Sequence, residues 1–155
     1  LFGVFFHFHD ALPKGEQYVK TEIPGSISTK NMYTTVDKKE ELEALGGYLT
    51  QNHLTEKKVL LYGEIPAISY IFDMEPAVYT TWADLRSNTL ERLQEDLDAI
   101  TTDYPVVIVT DAIGQELSGN TSYVDEKLDA IAQFLSRGNY QCGYAQKGYY
   151  VYTSQ

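Results

Sequence analysis

Two of the three histidines stand two residues apart in the stretch VFFHFHD, Val4 to Asp10. On a β-strand such a pair projects to one side of the chain. Two imidazoles on one face are a familiar start to a zinc site, but a metal needs at least three convergent ligands. Asp10 falls on the opposite face, and His53 is the only other imidazole. His7 and His9 are therefore metal-ligand candidates without a third partner. The expected reading places them on the wetter face of an edge hairpin, with no cofactor.

A second group of reactive side chains follows the strand-like runs. Glu64 comes just after VLLY, Trp82 and Asp84 just after AVYTT, and Asp111 ends PVVIVTD. In open α/β sheets ligands collect beyond the carboxyl ends of parallel strands. Acids with a tryptophan at such a rim suit a sugar or a divalent cation. The same aspartates also suit turns and helix starts, so Glu64, Trp82, Asp84 and Asp111 are ligand-binding candidates and not catalytic ones. No G-x-G-x-x-G, no P-loop and no G-x-S-x-G elbow occurs. His53 falls at a helix end, where a cation favours the dipole. Cys142, the single cysteine, sits in YQCGYA and reads as a buried thiol in a strand. Tyr140, Tyr144, Tyr149, Tyr150 and Tyr152 crowd the C-terminal segment, where rings make cross-strand pairs as readily as they stack on sugars.

The elements that position these residues follow from periodicity. Residues 1–10 alternate as a strand, LPKG turns, and Gln17 to Ile23 alternates again, predicting an N-terminal hairpin. A helix is predicted over Asp37–Gln51, capped by Thr34 or Thr35, with Leu42, Leu45 and Leu49 as its stripe. Gly46-Gly47 within it predicts a close neighbour. Val59–Tyr62 is a buried strand, and Pro66 opens a short helix reaching Phe72. Ala77–Thr81 predicts the next strand. Asn88 is expected to cap a helix bearing Leu90, Leu93, Leu97 and Ile100, with Glu91 completing a capping box. Pro105–Asp111 is the third core strand, followed by a loop. Ser122 is expected to cap a helix carrying Val124, Leu128, Ile131 and Leu135 up to Gly138. YQCGYAQ and YYVYTS around Lys147-Gly148 form a C-terminal hairpin. The order ββαβαβαβαββ predicts one α/β domain over residues 1–155. Its architecture is a three-layer Rossmann-like sandwich with a mixed, mainly parallel sheet and hairpins at both ends.

Composition sets the outer limits. With 22 acids against 12 bases the 155 residues carry a net charge of −10. No local run of Lys and Arg offsets it, so nucleic acid is an improbable partner. No apolar run approaches the ~20 residues that span a bilayer, and no signal-peptide pattern is present. The start at Leu1 rather than Met suggests a domain taken from a larger protein.

KKVLLYGEIPAISYIFDMEPAVYTTWADL, PVVIVTD, FLSRGNYQ and YYVYTS together resemble a known type of domain. It is the soluble extracytoplasmic domain that follows the membrane helices in some bacterial polytopic proteins. Those proteins are similar to GT-C type glycosyltransferases, which use lipid-phosphate sugars. A strand, a G-x-x-P turn and a short helix with Tyr and Phe recur there, matched here by Gly63, Pro66, Tyr70 and Phe72. The segment HFHDALPKGEQYVKTEIPGSISTK resembles the stretch emerging after the last helix. Where that stretch often reads Y-x-x-R-D, this chain has His7-Phe8-His9-Asp10. Catalytic acids of the family lie on loops between membrane helices, so the resemblance implies a domain without chemistry of its own. It implies an extracytoplasmic location, tethered by transmembrane helices outside this chain, with acceptor glycan or the membrane portion of the parent protein as partner. The rival expectation is a stand-alone metal-dependent hydrolase, or a small-ligand-binding α/β domain, using the same rim.

Overall fold

The computed structural model describes residues 18–23, 29–30, 32–119 and 123–155. The strand expected over residues 1–10 with His7 and His9, and the Ser122 cap, lie outside them. The alternation from Gln17 yields β1 (Tyr18–Thr21), which pairs antiparallel with β2 (Met32–Thr35). β2 has no counterpart among the strands expected from the sequence. Thr35 then turns the chain into α1 (Val36–Gln51), its hydroxyl accepting from the Lys38 amide at 3.3 Å. Leu42, Leu45 and Leu49 form the buried stripe. Gly46 sits in that stripe because Phe72 crosses it: a Cβ there would meet the Phe72 ring at 2.7 Å.

The main sheet holds β3 (Val59–Tyr62), β4 (Val106–Thr110), β5 (Tyr140–Gln146) and β6 (Tyr149–Ser154), in the order β3-β4-β6-β5. Only β3 and β4 are parallel; β4–β6 and β6–β5 are antiparallel. The sheet is mixed, then, but not mainly parallel. Two causes account for the difference. The expected strand over Ala77–Thr81 does not form: Val59 donates to Glu75 O and accepts from Ala77 N, a single bridge at Pro76, and the chain then leaves the edge. Proline has no amide with which to extend a ladder. The C-terminal hairpin instead inserts β6 beside β4. Its turn, Lys147-Gly148, has φ of 49° and 79°, the doubly positive pattern that matches strand twist.

Alternation along the strands builds a core on each sheet face. Val59, Leu61, Val106, Ile108 and Val151 pack with α1 and with α2 (Ala67–Ile71) on one side. Leu60, Tyr62, Val107, Val109 and Tyr152 pack with α3 (Leu90–Ala99) and α5 (Glu126–Arg137) on the other. Each large side chain taken wholly out of water in this way contributes about 1.5–3 kcal/mol.

Three local expectations are corrected. Thr89, not Asn88, caps α3, accepting from the Arg92 amide at 3.3 Å, while Asn88 is buried and donates to Ala83 O at 2.9 Å. The loop expected after β4 is a helix, α4 (Asp111–Gly119); Gly114 and Gly119 lower its propensity, and Gly114 is there because the Tyr150 ring lies against it. Asp125 caps α5 through the Lys127 and Leu128 amides, which leaves Val124 before the helix and fully exposed. Cys142 also departs from expectation. It is exposed on the edge strand β5, next to a bulge between Cys142 and Tyr144, and its thiol donates to Tyr144 O at 3.3 Å.

The tyrosines of the terminal hairpin serve packing. Tyr144, Tyr149 and Tyr152 are buried, and Tyr140 packs edge-on against Tyr104 and at a tilt against Phe134. Burial raises the phenol pKa of Tyr62, Tyr140, Tyr149 and Tyr152 above the ordinary value of 10.0. The unfolded chain releases these protons near pH 10 while the folded chain holds them. Stability is therefore complete below about pH 10 and is lost as pH rises beyond it. Urea midpoints measured from pH 8 to 11 should fall steeply over the upper half of that range, and Tyr140→Phe should flatten the fall. A midpoint independent of pH would contradict this account.

Candidate functional site

Because β3 and β4 are parallel, Tyr62-Gly63 and Thr110-Asp111 emerge at one edge of the sheet. The chain reverses there at once. Gly63 has φ +106° and Glu64 has φ 59°, a left-handed pair that glycine initiates without a steric penalty. A Cβ at position 63 would lie 2.5 Å from Thr110 Oγ1. This tight reversal presents the Glu64 amide, which donates to Asp84 Oδ2 at 2.7 Å. The loop after β3 and the segment carrying Trp82 and Asp84 are thereby fastened together.

Trp82 stands on this fastened segment with its side chain partly exposed, and its amide donates to Thr80 Oγ1 at 3.1 Å. Asp84 spends one carboxylate oxygen on the Glu64 amide, so it acts as a tie between loops. The Glu64 carboxylate is exposed. Asp111 shares the rim through Thr110, yet its carboxylate accepts from Gln115 Nε2 at 2.5 Å and its amide donates to Gly148 O at 2.9 Å. The structure therefore ties Glu64 to Asp84, two residues from Trp82, and turns Asp111 toward its own helix. His53 follows α1 in an exposed turn with φ 55°, as expected for a residue past a helix end. Among the described residues no three His, Cys, Asp or Glu side chains converge as metal ligands.

Beneath the rim lies a group that sequence reading missed. Tyr62 is 2 % exposed and its hydroxyl donates to Asp125 Oδ2 at 2.9 Å. Burial raises its pKa first, and the hydrogen bond to Asp125 and the charges of Asp125, Asp84 and Glu116 raise it further. The phenol is a fixed donor that fastens the α5 cap to β3. A tyrosine at the end of VLLY was the available signal, since a buried phenol needs a partner. Tyr79 and Arg92 were missed as well: the Arg92 guanidinium lies 4.0 Å from the Tyr79 ring centroid. Reading Ala77–Thr81 as a strand hid that pair.

Comparison with protein-family models, curated proteins and solved structures finds no match to this chain.

Proposed function

We propose that this chain is a non-catalytic extracytoplasmic α/β domain of a membrane-bound glycosyltransferase-like protein, and that its carboxyl-end rim holds acceptor glycan. One observation carries the reading: the 2.7 Å bond from Glu64 N to Asp84 holds the Trp82 segment beside the ends of the parallel strands, with the indole partly open to solvent. A prepositioned aromatic ring among polar groups is how proteins grip sugars without reacting with them. Metal chemistry would require at least three converging ligands. Asp84 and Asp111 are committed to a backbone amide and to Gln115, which favours holding over hydrolysis.

Helices on both sheet faces support a three-layer, Rossmann-like layering, in which the rim is the usual ligand crevice. The membrane context rests on the sequence resemblance. Among the described residues no helix is long and apolar enough to cross a membrane. The coding sequence upstream of Leu1 tests that context: a series of hydrophobic segments supports it, and a soluble upstream domain sinks it. The glycan reading is tested by titrating neutral and acidic oligosaccharides while observing Trp82.

A further inference from the structure

The segment between Pro76 and α3, which leaves the sheet edge, walls a cavity of about 410 Å³ together with the first turn of α3. That volume lies within the roughly 300–1,000 Å³ of small-molecule sites. Tyr79, Thr80, Ser87, Asn88, Thr89 and Arg92 line it. Three features of the lining are unspent. Arg92 is in no ion pair among the described residues, in a chain with 22 acids and 12 bases. Its guanidinium is stacked on Tyr79 at 4.0 Å, an arrangement that leaves the N–H edge free for a planar anion. Asn88 is 6 % exposed, and although its Nδ2 donates to Ala83 O at 2.9 Å, its Oδ1 has no hydrogen-bond partner. Tyr79 itself is 73 % exposed, with its backbone held by Asp96, whose Oδ2 accepts from the Tyr79 amide at 2.8 Å.

No neighbouring acid forms an ion pair with Arg92 among the described residues. Asp96 is engaged with that amide, and Glu91 is tied to its own amide and to the Thr89 hydroxyl. Thr80 accepts from the Trp82 amide at 3.1 Å, so its hydroxyl hydrogen remains available, as does that of Ser87. The lining thus offers one unpaired guanidinium, hydroxyl donors and an aromatic face. Those match a hydroxyl-rich ring bearing one carboxylate.

We infer that this cavity binds a saccharide carrying a carboxylate, with Arg92 gripping the carboxylate and Tyr79, Thr80, Ser87 and Asn88 receiving the sugar ring. The inference rests on the glycan reading of the neighbouring rim and narrows it to acidic sugars. The test is a titration of the folded chain with trigalacturonate and with its methyl ester, followed by backbone amide NMR. The free acid should shift resonances from Tyr79 to Arg92 and bind about tenfold or more tightly than the ester, because only the acid offers a charge to Arg92. Arg92→Gln should erase that preference; Tyr79→Ala, on an exposed side chain, should weaken both. Equal binding of acid and ester, or an Arg92→Gln chain that keeps the preference, overturns the acidic-sugar inference and leaves the glycan reading standing. Silence toward both sugars, at this cavity and along the rim, overturns the two together.

Discussion

Phe134→Ala is expected to remove about 3–5 kcal/mol of stability, the usual cost of emptying a buried aromatic site. Phe134 is 2 % exposed and holds a cluster of rings, with Tyr140 at 5.5 Å and Tyr104 at 6.0 Å between centroids. That cluster joins α5 to the start of β5 and to the segment entering β4, where Tyr140 Oη donates to Pro105 O at 2.7 Å. The gap cannot close easily, because the facing residues are fixed by the sheet. For a domain of this size the loss corresponds to a fall of about 6–20 °C in Tm. Urea unfolding followed by circular dichroism measures it directly. A loss below about 1 kcal/mol would mean that the ring cluster is not the joint described here.

Gly63→Ala should be nearly as damaging, by a different route. The residue sits at φ +106°, where any side chain is strained by about 1–3 kcal/mol. The new methyl would also press on Thr110, with Oγ1 at 2.5 Å and Cγ2 at 3.1 Å, adding about 1–3 kcal/mol of overpacking. Thr110→Ala in the same background should restore the overpacking share and leave the strain, so the two causes separate in a double-mutant cycle. The substitution should also shift the Glu64 amide away from Asp84 and so loosen the segment carrying Trp82. If Gly63→Ala is as stable as the parent chain, the tight reversal is not what positions the rim.

Much of this architecture was legible because burial leaves a plain mark on sequence. VLLY and PVVIVT are apolar on both faces, as strands between two cores must be. The stripe Leu42, Leu45, Leu49 and a cap at Thr34 or Thr35 identified α1 almost to the residue, with Thr35 the one that caps it. The failures have physical causes too. AVYTT has strong strand propensity, but propensity is overridden when the preceding Pro76 ends the ladder after one bridge. The nine residues of α4 carry two glycines, and the helix exists because it packs on Tyr150 and the neighbouring core. Val124 kept the expected helical spacing yet stands fully exposed before Asp125, since a cap residue outweighs one apolar side chain in deciding where a helix starts.

The candidate site divides along the same line. Glu64, Trp82 and Asp84 were readable as residues beyond strand ends, but their union depends on a backbone amide, which sequence motifs do not display. Asp111 was grouped with them by strand order alone, and its side chain belongs to α4 instead. Tyr79, Asn88 and Arg92 come together only because a predicted strand is absent. Places where local propensity loses to the fold are where binding groups often gather.

Trp82 is the sole tryptophan and stands on the fastened segment at the rim, so its fluorescence reports on the proposed site without a label. In a titration with neutral and acidic oligosaccharides, Trp82 emission should change saturably for at least one sugar. The change should weaken when Asp84→Ala unfastens the segment from Glu64. Emission that stays constant across the whole panel, in a chain shown to be folded, would contradict the claim that this rim holds glycan.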